Sequence, residues 1–399
     1  MSLKHLLISC IALISCLSTT ASAQRQTHLY IDDGTGNFTI LTATPSGGGG
    51  TLTFPPGAGT VLTTANGGAI PFGAYLAFGS NSAQSGYTYS GISQSFGNSW
   101  ASMASDPTAQ HACAIGVVNN KIYVIGGSTA PVSGQINNNN EYDPSSNAWT
   151  AKSPLPTARR YMASAVYNGI IYVIGGSIGS GAGTPQSVVE AYDPSSDSWT
   201  TEASMPTARQ SAAAATINGK IYVVGGDNCG STFYSNNEEY DPVANTWTTR
   251  ASIPNGWSTS AVAVVNGVMY VLGGNDNSNT YVQNARYTPP PTDSWTLGSN
   301  LPTATGDACA TSLNGNIYFF GGTANPSDNS FNTATQYNPP PADNYIGLAS
   351  MPTATQAAVA AVVNGNIFVI GGYSSSGSTR LTTNQEYTPG ISLYWFTKN

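Results

Sequence analysis

From about residue 100 onward the apolar positions of the chain fall in short runs, each stopped by a pair of glycines. Ile122-Tyr123-Val124-Ile125 runs into Gly126-Gly127 and Ile221-Tyr222-Val223-Val224 into Gly225-Gly226. The doublet returns at Gly175-Gly176, Gly273-Gly274, Gly321-Gly322 and Gly371-Gly372, with spacings of 49, 50, 48, 48 and 50 residues. A tyrosine follows 13 to 16 residues after each second glycine (Tyr142, Tyr192, Tyr240, Tyr287, Tyr337, Tyr387). Seven or eight residues later stands a second aromatic: Trp149, Trp199, Trp247, Trp295, Tyr345, Trp395. Short apolar runs bounded by turn residues are read as strands. Each unit is therefore predicted to hold four: strand a, a run of small residues such as 211–217; strand b, running into the doublet; strand c, with the tyrosine; and strand d, with the tryptophan. Asn168-Gly169, Asn218-Gly219, Asn266-Gly267, Asn314-Gly315 and Asn364-Gly365 supply the positive-φ pair that a two-residue a–b hairpin needs. Between c and d, Asp143-Pro144 and Asp193-Pro194 supply turn chemistry.

One four-stranded sheet with this pattern cannot cover both its faces, so units of about 50 residues stack side by side and close into a ring. The glycines after strand b admit close approach of a neighbouring backbone, and the large rings lie further out, where a wedge-shaped unit is widest. With its six doublets and matching Tyr and Trp, the chain resembles the kelch-repeat β-propellers over residues 100–397. The fold class expected is all-β, a kelch-type propeller preceded by a small N-terminal β module. Six blades are favoured over seven. Trp100 is a seventh strand-d aromatic, so either Trp100 or Trp395 completes the last blade; a seventh blade would need residues 74–80 as a degenerate strand b. The resemblance says little about activity, because kelch proteins include protein-binding modules, sialic-acid mutarotases and copper oxidases of the galactose-oxidase kind.

Residues 1–23 carry Lys4, an apolar run over residues 6–17 and then Ala21-Ser22-Ala23, the layout of a cleaved secretory signal. The expected location is secreted, periplasmic or cell-surface. Leu13-Ile14-Ser15-Cys16 also resembles a lipobox, which would leave Cys16 acylated. No later segment has the ~20 apolar residues of a membrane-spanning helix. Residues 24–70 are expected to form the small β module, with strands at Leu29-Tyr30-Ile31 and Thr39-Ile40-Leu41; 71–99 is a linker or degenerate blade, and 100–399 the propeller. Residues 51–64 resemble segments of bacterial adhesin and tail-fibre stalks, so oligomerisation through this module is a further expectation.

Charge narrows the partners. Lys plus Arg is 12 and Asp plus Glu 19, a net charge of −7, which excludes a cationic nucleic-acid binder. Removal of the leader leaves Cys113, Cys229 and Cys309, an odd number that makes no disulfide framework. No cofactor or metal is expected. With His28 and His111 as the histidines outside the leader, imidazole ligands for copper are lacking. No Cys/His pairs stand at zinc spacing, no spacing rule selects Asn137 to Asn140 or Asp227-Asn228 for calcium, and no phosphate loop is present. Glu141, Glu239 and Glu386 before the strand-c tyrosine, and Asp143, Asp193 and Asp241 after it, recur from blade to blade and read as blade features.

Because strands alternate in direction, the b–c and d–a loops share one face. They are the longer and more variable connections, where function tends to reside. Entering strand a at that mouth are Gln110, Arg159, Arg209, Trp257, Thr305 and Thr355, with His111, Arg160 and Asp307 nearby. In protein-binding kelch domains an arginine at the similar place often grips an acidic partner, and the resemblance extends to Arg159 and Arg209. The expected ligand-binding set is Arg159, Arg209, Trp257, Arg160, Gln110, Thr305 and Thr355, holding a glycan or protein ligand. The function expected is a secreted or surface binding protein. The alternative is a sugar mutarotase or epimerase using His111 with Asp307.

Overall fold

The computed structural model describes residues 27–32, 38–43, 87–130, 133–181, 183–276, 279–324, 329–374, 379–389 and 391–398. The leader, Cys16, the segment 51–64 and the candidate strand 74–80 lie outside the described residues. The described residues fall into two compact units, one within Trp100–Thr388, the other holding residues 27–32, 38–43, 87–99, 389 and 391–398.

The larger unit is a six-bladed β-propeller. Blade 3 is representative: Ala213–Ile217, Lys220–Val224, Asn237–Asp241 and Thr246–Arg250 pair in that order, each antiparallel to the next. Blades 1, 2, 4 and 5 repeat this from Ala114–Val118, Ala163–Tyr167, Ala261–Val265 and Cys309–Leu313. Blade 6 differs in origin. Val359–Val363, Asn366–Ile370 and Asn384–Thr388 take their fourth strand, Ser99–Ser102, from the other end of the chain. Trp100 therefore completes the last blade. Trp395 lies in Ile391–Lys398, paired with Tyr87–Phe96 in the other unit, so the propeller ends at Thr388 and not at 399. That other unit also holds the hairpin of Thr27–Asp32 with Phe38–Ala43, at the predicted strand positions.

Strand a is innermost in each blade, and the six of them neighbour one another around the whole circle, the sixth against the first. The core lies between blades: Tyr172 and Val189 of blade 2 pack with Ile221, Val223 and Tyr240 of blade 3, and equivalent clusters recur at the next interfaces. Further out each strand-c tyrosine meets the strand-d aromatic, with ring centroids 4.7 to 5.0 Å apart in all six blades. The polar ends of these rings tie adjacent blades together. Trp199 Nε1–H donates to the Ser153 carbonyl at 2.9 Å, and Tyr192 Oη–H to the Asp197 carboxylate at 2.5 Å. Asp197 also accepts the Ser153 backbone N–H at 2.8 Å. Asn147, Asn245, Asp293 and Asp343 repeat that double acceptance. The a–b hairpins turn on Asn-Gly pairs with positive φ, as expected, and Asn119-Asn120 does the same in blade 1.

The recurring carboxylates are blade features. Glu239 takes both Nε and Nη2 of Arg250, Glu141 pairs with Lys121 and Lys152, and Asp143 and Asp193 accept the backbone N–H of Ser145 and Ser195 in the c–d turns. Cys113, Cys229 and Cys309 are free thiols, Cys309 buried and the other two half-buried.

Candidate functional site at the channel mouth

Each d–a loop delivers three consecutive residues to the channel mouth, and the three do different work. The first position is Gln110, Arg159, Arg209, Trp257, Thr305 and Thr355. All six are buried, at 0 to 3% exposure. Their carbonyls accept the N–H of the second glycine of the preceding blade: Gly127 to Arg159, Gly176 to Arg209, Gly226 to Trp257, Gly274 to Thr305, Gly322 to Thr355 and Gly372 to Gln110, at 2.8 to 3.0 Å. This seam explains the glycines. A Cβ on Gly225 would sit 2.6 Å from the Trp257 carbonyl oxygen, and its φ of 66° belongs to the left-handed region that favours glycine.

The side chains at this position are committed beneath the mouth. Arg159 Nη1–H donates to Glu190 at 2.9 Å and Arg209 Nη1–H to Glu238 at 2.8 Å. Arg209 Nη2–H also reaches the Val223 carbonyl at 3.1 Å. Gln110 donates to Asp106, Thr305 and Thr355 to backbone carbonyls, and Trp257 packs against Tyr281. The sequence expectation set these six in contact with ligand. The structure buries all six, with the arginines paired to Glu190 and Glu238 and Gln110, Thr305 and Thr355 hydrogen-bonded inside the protein.

The second position, His111, Arg160, Gln210, Ser258, Gly306 and Gln356, bridges back to the residue after each doublet. The third, Ala112, Tyr161, Ser211, Thr259, Asp307 and Ala357, has φ between 52° and 55° throughout. Its backbone closes a circle. Tyr161 N–H donates to the Ala112 carbonyl, Ser211 to Tyr161, Thr259 to Ser211, Asp307 to Thr259, Ala357 to Asp307 and Ala112 to Ala357, at 2.7 to 3.1 Å. With neighbours ~5 Å apart, six such links enclose an opening roughly 10 Å across their Cα atoms. Apart from Ala112, the ring residues are half-buried.

Chemistry at this opening is unequally distributed among the blades. Blades 6, 1 and 2 bring Tyr373, Arg380, His111, Arg160 and Tyr161. The His111 ring lies edge-on to Tyr373 and Tyr161, centroids 5.1 and 6.0 Å away. Arg380 stands over the Tyr373 ring at 4.8 Å and Arg160 over Tyr161 at 5.5 Å. Burial, then the charges of Arg380 and Arg160, push the His111 imidazole down to about 4, while its Nδ1 bonds the Ser128 carbonyl at 2.8 Å. Blades 3 and 5 bring carboxyls. Asp227 accepts from Gln210 and from the Cys229 backbone, both within 2.9 Å, and burial raises its carboxyl. Burial and then the nearby Asp227 charge push Asp307 up to about 7.

Of the residues expected at the mouth, His111 and Arg160 stand at the second position and are themselves buried, at 1 and 3% exposure, Arg160 Nη2–H donating to the Gly181 carbonyl at 2.7 Å, whereas Asp307 at the third position is half-buried. His111 and Asp307 share no hydrogen bond among the described residues; what links them is the pair Tyr161 and Tyr373, each of which feels the Asp307 charge. Tyr161, Tyr373 and Arg380 were not singled out. Among the described residues no three His, Cys, Asp or Glu side chains cluster as a metal site would require.

A family model described as the KLHDC2/KLHL20/DRC7 Kelch-repeats domain matches residues 98–274. Among solved structures 741 chains match, one being described as "Structure of YjhT". It superposes with a TM-score of 0.61 at 15% identity, over 74% of this chain and 99% of that one, a likeness of fold. No curated protein matches the chain.

Proposed function

Because the chain belongs to the kelch-repeat β-propeller family, whose fold is a scaffold for protein interaction, we propose that it is a binding protein that captures an anionic ligand at its channel mouth. The observation that carries this reading is the break in six-fold repetition: three adjacent blades set Arg380, His111 and Arg160 against two tyrosine rings, while equivalent positions elsewhere hold Gln210, Ser258 and Gly306. A guanidinium stacked on an aromatic ring can still present edge donors to a carboxylate or other anion, and the rings offer a flat face for the remainder of the ligand; half-buried Arg380 is the more accessible of the two arginines, since Arg160 is buried and donates to the Gly181 carbonyl. His111 is neutral at physiological pH, so the positive charge comes from the two arginines. The ligand is an acidic glycan or an acidic protein segment.

The test is an array of glycans and peptides probed with the purified protein. Acidic members are captured, and Arg380→Ala combined with Arg160→Ala weakens capture at least tenfold, in line with ~2 kcal/mol for a binding anchor. Capture that ignores ligand charge, or that survives the double variant unchanged, refutes the reading.

Catalysis is the second reading, favoured by one observation. Near pH 7 a carboxyl raised to about 7 and an imidazole lowered to about 4 offer a proton donor and an acceptor on one rim. It predicts acceleration of anomer exchange in an acidic or neutral sugar, lost in His111→Ala. No acceleration of any such sugar eliminates it.

We propose further that the protein is exported, supported by Lys4, the apolar residues 6–17 and Ala21-Ser22-Ala23. N-terminal sequencing of the mature chain then begins at Gln24. A chain starting at an acylated Cys16 identifies a lipoprotein, and one retaining Met1 contradicts export.

A further inference from the structure

Asp307 is the anomaly of the hydrogen-bonded ring. The other five members are Ala112, Tyr161, Ser211, Thr259 and Ala357, so Asp307 is the one carboxyl on a ring of otherwise uncharged residues, and it is half-buried there. Among the described residues its backbone is fully engaged, N–H to Thr259 and carbonyl to Ala357, while no hydrogen bond or ion pair is made by its carboxyl group. Asp227 behaves differently, its carboxylate accepting from Gln210 and Cys229. The groups facing Asp307 are Tyr161 from blade 2, Asp227 from blade 3 and Tyr373 from blade 6; its ring neighbours Thr259 and Ala357 carry no charge. The arginines of the rim stack on those two tyrosines, Arg160 on Tyr161 and Arg380 on Tyr373. Burial beside a second acid favours the neutral form, and a neutral carboxyl has a proton to donate.

We propose that Asp307 sets the specificity of the mouth for anions by carrying that proton: the protonated carboxyl donates a hydrogen bond to the ligand's anionic group, and ionisation expels the ligand. This deepens the anion-capture reading and rests on it. No bond is made or broken, and about one proton is taken up with each anion bound above neutrality.

Two probes separate the sources of the anion: glucuronate for a sugar carboxylate and acetyl-alanine for a peptide terminus, both ionised above pH ~5 because such carboxyls titrate near 3.5. Calorimetry between pH 5.5 and 8.5 is expected to show affinity for at least one probe falling tenfold or more. Asp307→Asn, whose amide still donates, is expected to keep affinity flat at the acid-limit value. A flat wild-type profile, or a slope that persists in Asp307→Asn, overturns the proposal while leaving anion capture standing. The Asp307 carboxyl is read directly by ¹³C NMR titration, assigned by difference from Asp307→Asn. A midpoint in the ordinary carboxylate range overturns the proposal with or without ligand. A neutral-range midpoint with neither probe bound at any pH overturns anion capture and, with it, the proposal.

Discussion

Arg159 and Arg209 look alike in sequence and in structure, and neither touches solvent. Each is held in a buried pair, with Glu190 or Glu238, and removing one partner of such a pair strands the other charge. Arg159→Ala is therefore expected to lower unfolding free energy by about 3–5 kcal/mol in denaturant titration, with ligand affinity of the folded protein little changed; loss of affinity at full stability would place it back in the site. Burial, then the Asp227 charge, shifts the Asp307 carboxyl upward, the opposite direction from an ion-paired carboxylate. Its folded pKa, about 7, lies above the unfolded value, so the ionised form is disfavoured by folding and stability declines as pH rises from about 4 through 7. Asp307→Asn should erase that decline and gain on the order of 1–3 kcal/mol at pH 8 after screening by the open mouth, with no gain at pH 4. His111 has its folded value depressed, so its contribution is complete above pH 6.5 and is lost as pH falls toward 4.

At the scale of the blade, the glycine doublet is a seam between neighbours. Gly225→Ala pushes a Cβ against the Trp257 carbonyl at a left-handed φ, and a loss of about 2 kcal/mol or more is expected by thermal or chemical unfolding. A neutral substitution there would contradict the seam. These features were legible in the sequence because each recurs at a fixed place: the doublets, the stacked Tyr and Trp, and the Asn-Gly hairpins all mark local backbone requirements. The mouth was legible only in part, and the miss was one of register. The sequence places Arg159, Arg209 and Trp257 at the opening, yet the ring is formed two residues further on, at a position whose left-handed φ of 52° to 55° turns the chain and breaks the alternation that a strand pattern assumes. Tyr373 and Arg380 come from a different loop and do not recur, so periodicity carried no signal for them. The informative mark was disagreement between repeats at the ring position, where Asp307 stands among alanines and hydroxyl residues.

The whole propeller depends on one strand borrowed across the chain. Ser99–Ser102 closes blade 6, and the Trp100 ring lies 5.0 Å from Tyr387 and 5.5 Å from Phe320 while its Nε1–H donates to the Ala349 carbonyl. Trp100→Ala is expected to cost about 2–4 kcal/mol, less than a fully buried tryptophan because the ring is half-exposed, and to raise amide exchange first in Asn384–Thr388. Trp395→Ala, outside that blade, should leave exchange there unchanged. The claim that joins fold to function is that ligand enters at the face where the d–a and b–c loops meet. Hydrogen–deuterium exchange with and without a captured acidic ligand tests it most directly. Protection is predicted around His111, Arg160–Tyr161, Asp307 and Tyr373, with the hairpins at Asn168-Gly169, Asn218-Gly219 and Asn266-Gly267 unaffected; protection confined to those hairpins would contradict the account.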